Sequence, residues 1–217
     1  MFKNAAFNPL SCLIKAKKPV AEWHIRTYMS VDMLPRGPPL PSHHKNFFIA
    51  HWVSPPPGLV EVNFDGSCSG SISMGGYLLR DWMGRLLRAG TGNYGAISII
   101  VAEARAMRDG ILLAIQAGFQ HILVEGDNKL VIQAAVGASR APWHIHQILQ
   151  DINNRRSMGI KITFKHIYHE ANRAADWLAR FGHSISHSFS TDLYFSPELK
   201  CIISEDAVRR SFVRNDA

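Results

Sequence analysis

The chain has 217 residues, room for one globular domain of about 100–150 residues with flanking segments. Its 47% hydrophobic and 19% charged content excludes an extended disordered chain, and no run approaches the ~18–20 apolar residues that span a bilayer. The net charge of +7 permits a polyanionic partner, and Cys12, Cys68 and Cys201 are too few and too far apart for a disulfide-stapled fold or a zinc pattern.

Reduced thiols place the chain inside the cell, with nucleus or cytoplasm as the expectation. Residues 1–21 carry Lys3, Lys15, Lys17 and Lys18 and no acid, so organelle targeting is a further option. Proline clusters at 35–41 and 55–57 read as extended linker. Residues 1–51 are therefore expected to form a basic, proline-rich, poorly ordered segment. Regular structure is expected from residue 52 to 182, and residues 183–217 read as a loose tail.

Within 52–182 the elements follow in order. Val60, Val62 and Phe64 alternate with Glu61 and Asn63, which predicts a strand over 59–64 ending at Asp65-Gly66-Ser67. Gly70, Gly75 and Gly76 predict a turn into a second strand over 77–81. Met83-Gly84 predicts another into a third strand over 85–90. Ala104, Met107, Ile111, Ala114 and Ile115 then recur at helical spacing, predicting a helix over 101–117. A short strand at 121–125 follows, then helices over 128–136 and 143–155, a strand over 160–168, and a last helix over 171–181. Three strands in a meander followed by strand–helix alternation predict an α/β fold with a mixed sheet flanked by helices.

Four acids stand out. Asp65 ends the first strand, Glu103 opens the first long helix, Asp127 follows the fourth strand, and Asp176 lies inside the last helix. Each has an ordinary explanation. Asp65-Gly66 suits a turn, Glu103 a helix dipole, Asp127 an N-cap, and Asp176 a solvated face. If the four converge instead, their repulsion calls for a cation, and Mg²⁺ suits carboxylate oxygens. Two such ions would steady the attacking and leaving oxygens of a phosphoryl displacement.

The segments "VEVNFDGS", "GGYLLRDWMG", "AEARAMRDGILLAIQAG", "ILVEGDNKLVI" and "ITFKHIYHEANRAADWLA" resemble type 1 ribonuclease H, in particular the plant reverse-transcriptase-like domains derived from retroelements. Trp52 and the proline triplet before the first strand resemble the same proteins. The resemblance implies a ribonuclease H-like fold with a five-stranded mixed sheet in the order 3-2-1-4-5. It implies a metal site of Asp65, Glu103, Asp127 and Asp176, holding two Mg²⁺ ions, with Mn²⁺ as a substitute. The implied reaction is endonucleolytic hydrolysis of the RNA strand of an RNA–DNA hybrid, by a monomer with no membrane attachment.

Within that resemblance Gly66 and Ser67, at the first turn, and Asn172, at the start of the last helix, are the expected substrate contacts, Asn172 having helix capping as its other reading. His169 is the expected catalytic histidine that moves a proton, with an ordinary exposed loop position as the alternative. His166 reads as structural, and His183 and His187 make no zinc site. Trp82, Trp143 and Trp177 read as packing residues. The chain departs from better-known enzymes in a shorter first turn without Asn-Pro, in Ile99-Ile100 ahead of Glu103, and in a shortened histidine loop. These departures favour a second reading, a weak or inactive nucleic-acid-binding module left from a retroelement polyprotein.

Overall fold

A computed structural model describes residues 47–185, 187–208 and 212–215. Of residues 1–51, expected to be poorly ordered, 1–46 lie outside the described residues, whereas Phe47–Ala50 form a strand that pairs with residues far along the chain. Strand β1 (Phe47–Ala50) is followed by β2 (Val60–Ser69), β3 (Ile72–Arg80) and β4 (Leu86–Gly95), then helix α1 (Ile99–Gln116). Next come β5 (His121–Gly126), α2 (Lys129–Ala135), α3 (Trp143–Ser157) and β6 (Lys161–His166). One 3-10 turn (His169–Ala171) leads to α4 (Arg173–Ile185), β7 (Phe189–Thr191), α5 (Pro197–Ala207) and β8 (Phe212–Asn215).

The main sheet has the order β6-β5-β2-β3-β4-β7. The pairs β2–β3 and β3–β4 are antiparallel, whereas β5 lies parallel to β2 and β6 parallel to β5. Strands β2 to β6 reproduce the expected order 3-2-1-4-5. The sheet has six strands rather than five, because β7 pairs with Ala89–Thr91 at the edge. Three residues are too few for a period-2 pattern to register.

Helices cover both faces, giving three layers. On one face Val60, Val62 and Phe64 pack with Ala104, Met107, Ile111 and Ala114 of α1, and with the buried sides of α2 and α3. On the other, Leu78 and Ala89 pack with Ala174, Ala175 and Leu178 of α4 and Leu199 of α5. Gly75 and Gly76, expected in a turn, lie within β3, and only Gly70 belongs to the turn. A side chain on Gly76 would overlap the backbone of Ala175 and Ala179, so this glycine lets α4 lie flat on the sheet.

The segment after residue 182, expected as a loose tail, is part of the folded unit. Leu199 is 2% exposed, and Asp206 of α5 accepts from Arg80 Nη1 at 2.7 Å. Arg80 also donates through Nη2 to Asn63 Oδ1 at 2.6 Å and stacks 3.7 Å from the Trp52 ring centroid. Trp52 Nε1 in turn donates to Glu61 at 2.8 Å. This buried polar network joins the start of the domain, the central strands and α5. Backbone pairing of β1 with β8 also brings residues 47–50 and 212–215 together. Sequence reasoning missed α5 because its partner for Asp206 lies 126 residues away.

Replacing Asp206 by Ala removes the nearest counter-charge of an arginine that is 1% exposed. Breaking such a pair costs about 3–5 kcal/mol. Asp192→Ala, which loses the exposed 3.5 Å pair with Arg88, costs below about 1 kcal/mol. Urea denaturation of both variants beside the wild type checks this, and equal stability of the two variants would contradict an integral α5.

Candidate active site

The site is built where β2, β5 and α1 meet. Asp65 projects from β2, and β2 runs on to Ser69 because it stays paired with β3 beyond the expected end at Phe64. Gly66 follows. A side chain there would come within 2.8 Å of the Glu103 backbone nitrogen, so its absence allows α1 to approach the strand. The helix starts at Ile99 rather than Val101, which puts Glu103 beyond its first turn. Helix-dipole stabilisation is accordingly not what Glu103 serves. Asp127 directly follows β5 and does not cap α2. That role belongs to Asn128, whose side chain accepts from the Val131 N–H at 3.2 Å.

One oxygen from each of Asp65, Glu103 and Asp127 lies within 4.8 Å of the others. Asp65 and Glu103 are 6% and 5% exposed. Burial, then the charges of Glu103, Asp127 and Asp176, push Asp65 up to about 9. Burial, then Asp127, pushes Glu103 up to about 8, against hydrogen bonds from Asn128 and the Gly66 N–H. Glu103 Oε2 is buried and has no hydrogen-bond partner among the described residues. An all-oxygen set with an orphaned buried carboxylate oxygen fits a hard divalent cation.

The fourth expected acid sits beside this group and outside it. Asp176 is near enough for its charge to act on Asp65, but its Oδ1 accepts from Arg180 Nε at 2.8 Å. Arg180 and His183 lie four and seven residues after Asp176, on one side of α4. Helical spacing from Asp176 was the signal that would have found both. His183 Nε2 meets Ser67 Oγ at 3.2 Å, so Ser67 is held from the helix.

His169 Nδ1 lies 2.9 Å from Asp127 Oδ2, and the ring is half-exposed. His166 Nε2 lies 3.0 Å from the Asp127 carbonyl, so the two histidines bracket that residue. Two expected substrate contacts are committed elsewhere. The Gly66 N–H is directed at the carboxylates of Asp65 and Glu103. Asn172 is 1% exposed, and its Nδ2 donates to the Phe64 carbonyl at 2.8 Å, tying the start of α4 to β2.

A mixed sheet in this order, with carboxylates gathered where the parallel pair β2 and β5 meets α1, defines a ribonuclease H-like domain. The chain belongs to the reverse transcriptase-like family, whose model matches residues 63–182. It is similar to an Arabidopsis thaliana protein whose name assigns it provisionally to ribonuclease H, at 25% identity over 159 residues. That match takes in 72% of this chain and 26% of the relative, so the chain spans about a quarter of the relative's length. Among solved structures it resembles ribonuclease H1 of the archaeon Halobacterium salinarum, with 22% identity, TM-score 0.55, and coverage of 58% of this chain and 98% of that one. LC11 ribonuclease H1 in complex with an RNA/DNA hybrid gives 19% identity, TM-score 0.55, and coverage of 58% and 98%. The ribonuclease H domain from Mycobacterium tuberculosis gives 20% identity, TM-score 0.55, and coverage of 59% and 95%. At these identities the likeness is one of fold.

The raised acids make stability depend on pH. Asp65 holds its proton up to about 9 when folded but only to about 3.9 when unfolded. The folded state therefore binds more protons in between, and the contribution of Asp65 is complete below pH ~4 and is lost as pH rises towards 9. In EDTA the wild type is expected to lose more thermal stability between pH 5 and pH 9 than Asp65→Asn does. Excess MgCl₂ should close that gap. Parallel melting curves for the two proteins in EDTA would contradict the crowded-carboxylate description.

Proposed function

We propose that this domain is a metal-dependent endoribonuclease that hydrolyses the RNA strand of RNA–DNA hybrids. The observation that carries the reading is the gathering of Asp65, Glu103 and Asp127 around an orphaned carboxylate oxygen, within a ribonuclease H-like fold. These residues, with Asp176 at their side, would hold Mg²⁺, as two ions, with Mn²⁺ as a substitute. When bound, the metal supplies Lewis-acid activation and charge neutralisation at the phosphate.

The chain's own residues do the rest. The paired strands β2 and β5 hold Asp65 and Asp127 in fixed register, and α1 brings Glu103 to them. His169 is anchored to Asp127 through Nδ1, which leaves its other ring nitrogen available to take or give a proton at the departing 3′ oxygen. Ser67, held by His183, stands two residues beyond Asp65 and is the group best placed to meet a 2′-hydroxyl, the mark that separates RNA from DNA.

One observation favours a second reading, hybrid binding without cleavage: Asp176 is paired with Arg180 and stands outside the group of three acids. Cleavage of an end-labelled hybrid in Mg²⁺, Mn²⁺ or EDTA decides between them. Under the first reading the wild type cuts only with metal. Asp127→Asn then cuts about a thousandfold more slowly, equivalent to about 4 kcal/mol, while binding the hybrid in EDTA as well as the wild type does. Firm binding with no cleavage in either metal would establish the second.

A further inference from the structure

Helix α3 begins with a residue that the sequence pattern assigns to packing and the structure does not. Trp143 is 81% exposed. Its ring stacks on His144 with centroids 3.9 Å apart and an interplanar angle of 27°. Trp143 lines a cleft together with Arg140, Pro142 and His146. No acid occurs between Asp127 and Asp151, while Lys129, Arg140, His144 and His146 fall inside that stretch. An exposed indole amid cationic and imidazole groups, with no carboxylate in its segment, suits a polyanion that also offers flat rings.

The topology puts this surface at the same end of the sheet as the carboxylates. Residue Lys161, which follows α3, pairs with His121 at the start of β5, so α3 ends at the far end of the sheet. The 15 residues of α3 rise about 22 Å, and the six residues of β5 about 20 Å. Helices α1 and α3 both end a few residues before the paired His121 and Lys161, so both begin towards the opposite end of the sheet, where the carboxylates lie. Helix α3 packs on α1, which carries Glu103. One interhelical spacing of about 8–10 Å separates the two axes, a distance of about three nucleotides along a strand.

We infer that Trp143, with Arg140 and His146, forms a stacking platform for an unpaired nucleic-acid strand running out from a duplex held at the carboxylates. A paired base turns its faces to its neighbours in the stack, whereas an unpaired base offers a face to an aromatic ring. Arg140 and His146 line the same cleft as the ring and offer donors to the strand's phosphates. The partner is an overhang, of any sequence, since every base has a face to stack. The inference rests on the hybrid-binding part of the reading above and not on cleavage.

The test compares a blunt RNA–DNA hybrid with the same hybrid carrying a short oligothymidine overhang. Binding of each is measured by fluorescence anisotropy of a label on the oligonucleotide, in EDTA, with the 217-residue chain. The wild type should bind the overhang substrate about tenfold more tightly than the blunt one. Trp143→Ala should remove that preference and leave blunt-hybrid affinity unchanged, whereas Trp143→Phe should retain most of it. Arg140→Ala should lessen the salt dependence of overhang binding by about one unit of slope. Equal wild-type affinity for the two substrates, or an overhang preference that survives in Trp143→Ala, would overturn the inference. Failure of the wild type to bind either hybrid would overturn it together with the functional reading beneath it.

Discussion

Glu103 reaches Asp65 because Gly66 has no side chain. A helix and a strand normally stand apart by the width of their side chains, and here the gap closes at one point until the backbone of α1 lies against β2. On the opposite face Gly76 permits the same for α4. The two contacts pinch the sheet between helices that both carry acids. The crowding of carboxylates follows from this geometry, and so do their raised proton affinities.

The chain buries charge in two places and treats it differently. Beneath α5, Arg80 lies among Glu61, Asn63, Asp206 and the Trp52 ring, so its charge is met from several sides. Removing Asp206 leaves a buried arginine without its nearest counter-charge. Among the described residues no lysine or arginine pairs with Asp65, Glu103 or Asp127; His169 touches Asp127, and Arg180 engages Asp176 at the margin of the group. Burial of like charges without internal compensation is costly, and proteins retain it where an external ligand supplies the opposite charge. The contrast sets apart one cluster whose charge is met within the protein and one whose carboxylates are crowded together without that match.

Much of this was legible in the residues. The alternation from Val60 to Phe64 and the helical spacing from Ala104 to Ala114 mark core faces directly, because one side of each element must be apolar. Strand order, and the closeness of Asp65, Glu103 and Asp127, followed from the motifs that carry the ribonuclease H resemblance. What remained hidden was what depends on distant partners. Asp206 reads as an ordinary helix-end acid until Arg80 is seen beneath it. Asn172 looks like a cap until its amide is found on Phe64. Gly75 and Gly76 look like a turn because sequence alone cannot show that a helix will press on them. Trp143 has the composition of a core residue, and its exposure is decided by the helix face on which it falls.

The bond from Asn172 to the Phe64 carbonyl has a dynamic consequence. It joins the first turn of α4 to the peptide immediately before Asp65, in a fully buried position. A fluctuation that lifts the start of α4 must therefore break a hydrogen bond on the strand that carries the acid, and water must enter to satisfy both ends. Opening of the helix and loosening of the carboxylate group become a single event. Amide protons at the start of α4 and along the centre of β2 should then exchange with solvent as one cooperative unit, although the two segments are more than 100 residues apart in the chain.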